Sequence, residues 1–154
     1  MKKLISLITI IALIFFTSCK SDLEKELDKI EDYIEEHNIT VEPTESGLYY
    51  IETLEGTGLQ ASAGDSVTVH YRGTFIDGEL FDSSYDRGEP YSFILGVGEV
   101  IQGWDEGISY MKEGGKAQLI IPSNLAYGPY GYWSIPGYTT LIFDVELIDV
   151  KQNQ

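Results

Sequence analysis

The sequence predicts an α+β domain in which an antiparallel β-sheet packs its apolar face against one short helix. Two observations lead to this prediction. After residue 47, apolar and polar residues alternate with a period of two in several segments, which is the pattern of half-buried strands. Between Val100 and Met111 the apolar positions instead step by three and four residues, the spacing of one helix face.

The N-terminus predicts a lipoprotein signal peptide over residues 1–18. Lys2 and Lys3 precede an uncharged run over residues 4–16, which is shorter than the roughly 20 residues of a bilayer-spanning helix. Cys19 is the single cysteine of the chain and directly follows Ser18, an arrangement that resembles the lipobox of bacterial lipoproteins. We therefore expect lipid on Cys19 to anchor the protein to a membrane of the cell envelope, on the periplasmic or the outer surface. The alternative is a chance cysteine after an ordinary signal peptide.

Residues 19–46 are predicted to form an acidic helical spacer and linker. Over residues 20–45, ten acidic residues stand against three lysines. Apolar residues recur at helical spacing between Asp22 and His37, at Leu23, Leu27, Ile30 and Ile34. One interpretation is that this stripe packs on the domain or belongs to a solvated spacer. The other is a dimer through residues 22–37, although two heptads are short for a coiled coil.

The globular domain is predicted over residues 47–150, with residues 151–154 as a tail. A first strand is expected at residues 48–52. Later segments repeat the two-residue alternation at residues 67–72, 91–95, 117–121 and 141–147. Asp77-Gly78 and Gly114-Gly115 are tight-turn signals between them. This order of strands with one helix between them favours an antiparallel sheet.

The composition argues against several function classes. The formal net charge is −15, with 10 Lys and Arg against 25 Asp and Glu, so nucleic acid is not expected as a partner. His37 lies in the spacer, and His70 lies on the strand face opposite Tyr71, where we expect a surface histidine rather than a general base. The sequence lacks metal-ligand spacing and a phosphate-binding loop. We therefore predict no metal and no cofactor.

Several motifs in order carry a resemblance to a known family. These are VHYRG, FDSS, EVIQGWDEG, LAYG and LIFDVEL. Together they closely resemble the FKBP-type peptidyl-prolyl cis-trans isomerases over residues 47–148. The resemblance implies an antiparallel sheet half wrapped around a short helix, with a shallow hydrophobic pocket between them. It also implies isomerase activity on proline-containing polypeptides, here exported or envelope proteins.

The same resemblance implies a substrate pocket with Trp104 as its floor. The implied pocket residues are Tyr71, Phe81, Asp82, Tyr91, Val100, Ile101, Trp104, Tyr127, Tyr132, Ile135 and Phe143. Five of them are implied to act in catalysis: Asp82, Tyr127, Trp104, Phe143 and Tyr71. Tyr71, Tyr91 and Phe143 also fall on apolar strand faces, so a purely structural role remains open for each of them alone.

The loop over residues 128–140 departs from the family pattern. Tyr132 stands where many relatives have His, and Gly137 replaces the second proline of a frequent Ile-Pro-Pro. Trp133 is interpreted either as a peptide-binding platform or as a loop anchor. Two other functions stay open at this point. One is a non-catalytic module of an envelope complex that binds proline peptides or acts as a chaperone, and the other is a surface adhesin or assembly component.

Overall fold

The structure, a computed structural model, describes residues 20–153. The predicted signal peptide and Cys19 lie outside the described residues, as does Gln154. The helices are α1 (Asp22–Glu36), α2 (Ser84–Arg87) and α3 (Gln102–Ser109), with one 3-10 turn at Ser123–Leu125. The strands are β1 (Tyr49–Leu54), β2 (Ser66–Phe75), β3 (Leu80–Ser83), β4 (Tyr91–Ile94), β5 (Lys116–Ile121) and β6 (Leu141–Lys151). Within residues 20–153, no helix combines the length and apolar character that crossing a membrane requires.

The six strands form one antiparallel sheet in the order β1-β5-β6-β2-β3. The long strand β2 pairs with β6 along one edge and with both β3 and β4 along the other. Gly78 makes the β2–β3 turn with a φ of 88°, a backbone conformation that glycine adopts without steric cost. The predicted α+β class and this turn are therefore confirmed.

Helix α3 packs very closely on the sheet because two of its residues are glycines. A Cβ on Gly103 would lie 2.4 Å from Ile121, and one on Gly107 would lie 2.7 Å from Leu119. Both contacts are shorter than real Cβ atoms tolerate. Glycine weakens an isolated helix, yet here it allows Trp104 and Ile108 to be fully packed in the core. The predicted short helix is thus confirmed with narrower bounds.

Helix α1 docks on the domain through the C-terminal part of the predicted apolar stripe, at Ile30 and the half-buried Ile34, together with Glu26. Ser21 caps the helix and forms a reciprocal capping box with Glu24. Leu23 and Leu27 are 48% and 54% exposed. Ile30 is buried, and so is the carboxylate of Glu26.

Glu26 joins α1 to two distant parts of the domain. Its carboxylate accepts hydrogen bonds from the backbone N–H of Ser123 at 2.6 Å, the Ser123 hydroxyl at 2.5 Å and the Thr140 hydroxyl at 2.8 Å. These residues follow β5 and precede β6, whose Ile120 and Ile142 are buried on the face turned away from α3. We infer that α1 covers this second face of the sheet. Self-association through residues 22–37 stays a prediction.

Candidate active site

A shallow cavity of about 220 Å³ opens between α3 and the sheet. Its lining consists of Tyr71, Phe81, Asp82, Tyr91, Glu99, Val100, Ile101, Trp104, Tyr127 and Phe143. Nine of the eleven residues predicted for the substrate pocket are therefore brought together. Glu99 lines the cavity as well and was not among the predicted residues.

Trp104 forms the floor of the cavity, and aromatic rings fix its orientation. Its ring centroid lies 4.9 Å from that of Tyr71 and 5.1 Å from that of Phe143, with interplanar angles of 80° and 81°. Such edge-to-face pairs are a favourable aromatic geometry. Among the described residues, no hydrogen-bond partner reaches the buried indole N–H of Trp104. The floor is therefore aromatic and carries one hydrogen-bond donor, the indole N–H, without a partner among the described residues.

The backbone of β2 brings the aromatic walls close together at Gly73. A Cβ at this position would lie 2.8 Å from both Phe143 and Phe81, so the glycine of VHYRG makes room for their rings. Ser84, fully buried, accepts a hydrogen bond from the Tyr71 backbone N–H at 2.8 Å. The second serine of FDSS thus holds the strand segment that carries Tyr71.

One edge of the cavity is polar and is organised around Asp82. Its carboxylate accepts a hydrogen bond from the Tyr71 hydroxyl at 2.5 Å and forms an ion pair with Arg87. Arg87 also donates to the Tyr71 hydroxyl at 2.6 Å. Burial, together with the bond to Asp82, raises the pKa of Tyr71 to about 12. The phenol therefore stays protonated and keeps orienting Asp82.

Arg87 reaches Asp82 because of the short helix α2, which the sequence analysis did not predict. The Ser83 hydroxyl caps α2 by accepting the Asp86 backbone N–H, and Gly88 ends it with a φ of 75°. A serine followed three residues later by an acid and then by a glycine is a local helix signal. That signal would have revealed this one-turn helix and the position of Arg87.

The segment before α3 forms a second rim of the cavity and is held by α3 itself. The Asp105 carboxylate accepts the backbone N–H groups of Gly96 at 2.8 Å and Gly98 at 3.0 Å. Ile101 is the N-cap residue of α3. Its backbone N–H donates to no other described residue, so it is free to donate to a bound carbonyl.

The third rim comes from the loop over residues 126–140. Tyr127 lines the cavity, and its ring stacks on Tyr132 at 5.2 Å between centroids. Burial raises the pKa of Tyr127, with smaller contributions from Tyr132 and Asp82. Ile135 is buried in the core and does not line this cavity. Trp133 is 94% exposed, so it does not anchor the loop.

Comparison with known proteins agrees with this arrangement. The sequence model of a family described as FKBP-type peptidyl-prolyl cis-trans isomerase matches residues 58–148. An FK506-binding protein of Neisseria meningitidis serogroup B is 51% identical over 107 residues, which cover 69% of this chain and 98% of that protein. The chain belongs to the FKBP-type peptidyl-prolyl cis-trans isomerase family. The resemblance carried by the sequence motifs is thereby confirmed.

Longer FKBP-type proteins are also similar to this chain. The isomerase FkpA of Buchnera aphidicola subsp. Baizongia pistaciae is 42% identical over 147 residues, which cover 84% of this chain and 58% of FkpA. The crystal structure of FkpA from Escherichia coli matches with a TM-score of 0.76 and 45% identity, covering 84% of this chain and 61% of that one. This chain therefore spans about three fifths of the length of those FkpA proteins.

Proposed function

We propose that this FKBP-type protein accelerates cis-trans isomerisation of X-Pro bonds in proline-containing polypeptides. The observation that carries the proposal is the aromatic cavity over Trp104, whose hydrogen-bonding groups, apart from the indole N–H of the floor, lie along its rims. Its apolar walls suit a prolyl ring. The polar groups at the rims suit the carbonyl groups of the peptide on either side of the ring.

The cavity can favour the transition state because of what happens to the amide when it rotates. A planar X-Pro amide is conjugated, and its rotation costs about 18 to 20 kcal/mol. Conjugation is lost in the twisted form, so the carbonyl carries less charge separation than in the planar form. An apolar site with little water therefore stabilises the twisted amide relative to the ground state. The reaction requires no covalent intermediate.

The polar groups are proposed to position the peptide. The Tyr127 hydroxyl and the Ile101 backbone N–H would each donate to a substrate carbonyl, which places the proline over Trp104. Asp82, fixed by Tyr71 and Arg87, would face the twisted amide from the polar edge. One such hydrogen bond contributes only about 0.5 to 1.5 kcal/mol, so burial and positioning carry most of the effect.

The test is an isomerase assay on residues 20–154, with a short proline peptide and with proline-limited refolding of a denatured protein. We expect activity in the wild type and a loss of at least tenfold in kcat/KM for Asp82→Val. Asp86→Val is the matched control, because Asp86 lies on α2 outside the cavity. An inactive wild type that still binds proline peptides would instead indicate a non-catalytic binding module. Equal activity of the two variants would remove Asp82 from the mechanism.

We further propose that the protein acts in the cell envelope, anchored to a membrane by lipid on Cys19. The sequence of residues 1–19 supports this, since a single acylated residue can carry several acyl chains and bind membranes firmly. Cys19→Ser should move the protein from the membrane fraction to the soluble fraction and abolish labelling by radioactive palmitate. Unchanged fractionation of Cys19→Ser would refute the anchor.

A further inference from the structure

A second and larger cavity, of about 580 Å³, lies beside the proposed prolyl pocket. It is enclosed by α1, the β2–β3 hairpin and the loop over residues 134–140. Phe81 lines both cavities. The two cavities therefore share the Phe81 side chain as a common wall. We refer to the larger one as the accessory cleft.

The walls of the accessory cleft combine apolar surface with a charged rim. Phe75 and Phe81 face it, with ring centroids 5.0 Å apart, and Leu80 and Tyr138 line it while remaining 41% and 38% exposed. The charged side chains along it are Glu26, Lys29, Asp77 and Glu79. Its volume lies within the range of about 300 to 1,000 Å³ typical of ligand sites.

The α1 wall of this cleft is held in place by specific contacts. Glu26 is 3% exposed and accepts three hydrogen bonds from Ser123 and Thr140. A buried carboxylate is costly unless its hydrogen bonds are satisfied. This docking therefore fixes α1 against the segment after β5 and the loop before β6. The α1 wall of the cleft is therefore part of the folded domain.

We propose that the accessory cleft binds the segment of the client polypeptide that flanks the isomerised proline. The inference rests on the proposed isomerase function and extends it to substrate selection. A chain with its proline over Trp104 would pass the shared Phe81 side chain to enter the cleft, and an extended chain advances about 3.3 Å per residue. A residue a few positions from the proline can then enter the cleft.

The chemistry of the walls defines the preferred segment. Phe75, Leu80 and Tyr138 would contact an apolar side chain, such as leucine or phenylalanine. Asp77 and Glu79 lie at the hairpin end of the cleft and are exposed, and they would attract a basic residue beside the apolar one. Unfolded polypeptides expose such apolar segments, whereas a four-residue proline peptide with alanine at the positions away from the proline offers no large apolar side chain to the cleft.

The experiment compares kcat/KM for two sets of peptides with the full mature domain, residues 20–154. One is a four-residue proline peptide, and the other is a series of ten-residue peptides with leucine two to five positions from the proline, on either side. Partial burial of one leucine is expected to raise kcat/KM about five- to tenfold at the best position. Leu80→Glu should abolish this gain and leave the four-residue peptide unaffected.

Leu59→Glu is the matched control, since Leu59 is also exposed but lines neither cavity. Should Leu80→Glu fail to fold, judged by circular dichroism, Tyr138→Ser takes its place. If the wild type does not isomerise the four-residue peptide, the proposed function fails. If it does so but leucine adds nothing, or the gain survives Leu80→Glu, the accessory cleft is refuted. If Leu80→Glu changes only the oligomeric state of the protein, a second copy of the chain occupies the accessory cleft and the client-binding proposal is refuted.

Discussion

Replacing Glu26 by alanine should undock α1 and destabilise the protein. The carboxylate accepts hydrogen bonds at 2.5, 2.6 and 2.8 Å while it is almost fully buried. Each hydrogen bond to a charged group contributes about 1.5 to 3 kcal/mol. Glu26 borders the accessory cleft, so water can reach the abandoned donors and recover part of this energy. We therefore expect a loss of about 2 to 4 kcal/mol in the free energy of unfolding.

The measurement is urea unfolding, compared with Glu31→Ala on the exposed side of the same helix. Glu31→Ala removes the same atoms, and we expect it to change the unfolding free energy by less than about 0.5 kcal/mol. The loss of unfolding free energy for Glu26→Gln should lie between those of Glu26→Ala and Glu31→Ala. The glutamine amide keeps one acceptor oxygen, but its NH₂ group replaces the second acceptor with a donor. This series separates loss of the buried carboxylate from loss of helix propensity.

Hydrogen exchange at the Ser123 amide gives a local test of the same contact. This N–H donates directly to Glu26, so Glu26→Ala should accelerate its exchange by about tenfold for each 1.4 kcal/mol lost. Should both the unfolding free energy and the Ser123 exchange rate of Glu26→Ala match those of Glu31→Ala, the docking argument would be refuted.

The remaining predictions concern the pocket, the core and α1. Tyr127→Phe should lower kcat/KM about two- to tenfold by removing one hydroxyl donor, and unchanged kinetics would exclude that role. Tyr50 and Tyr71 have pKa values raised to about 12, so they stabilise the fold below pH 10 and lose this contribution between pH 10 and 12. The double variant Tyr50→Phe with Tyr71→Phe should therefore show a smaller decrease in the free energy of unfolding between pH 10 and 12. Gly103→Ala should cost about 1 to 3 kcal/mol by urea unfolding, because its Cβ would overlap Ile121, whereas Gln102→Ala should be neutral. If α1 mediates a dimer, Leu23→Glu with Leu27→Glu should abolish it in sedimentation, and a monomer at all concentrations would end that hypothesis.

The sheet, α3 and the pocket lining were predictable because their signals are local. Alternation of apolar and polar residues with a period of two predicts the two faces of a strand, and the spacing of Ile101, Trp104 and Ile108 predicts one face of a helix. The motif resemblance then related these faces to a shared pocket, and the structure brings nine of the eleven implied residues together. Tyr132 and Ile135 do not line the cavity, because the Tyr132 ring stacks on Tyr127 and Ile135 is buried in the core.

Glu26 was not predictable from the same kinds of signal. It is one of ten acidic residues in its segment, and its partners Ser123 and Thr140 are 97 and 114 residues away in sequence. Of the predicted apolar stripe, Ile30 is buried and Ile34 is half-buried, but Leu23 and Leu27 are exposed. A buried carboxylate can outweigh two leucines because three donors, positioned by the ends of β5 and β6, converge on it. Only the tertiary fold creates that convergence.

The docking of α1 also limits how far the domain could lie from the proposed lipid anchor on Cys19. With α1 held by Glu26, only Lys20 and Ser21 separate Cys19 from the folded unit, a reach of about 10 Å for an extended chain. Electrostatic screening at physiological salt acts over about 8 Å, a similar distance. The exposed acids of α1, such as Asp22, Glu24 and Glu31, would therefore repel an anionic lipid surface. A lipid on Cys19 would hold the domain close to the membrane, and this repulsion would disfavour orientations that press the acidic face of α1 against it.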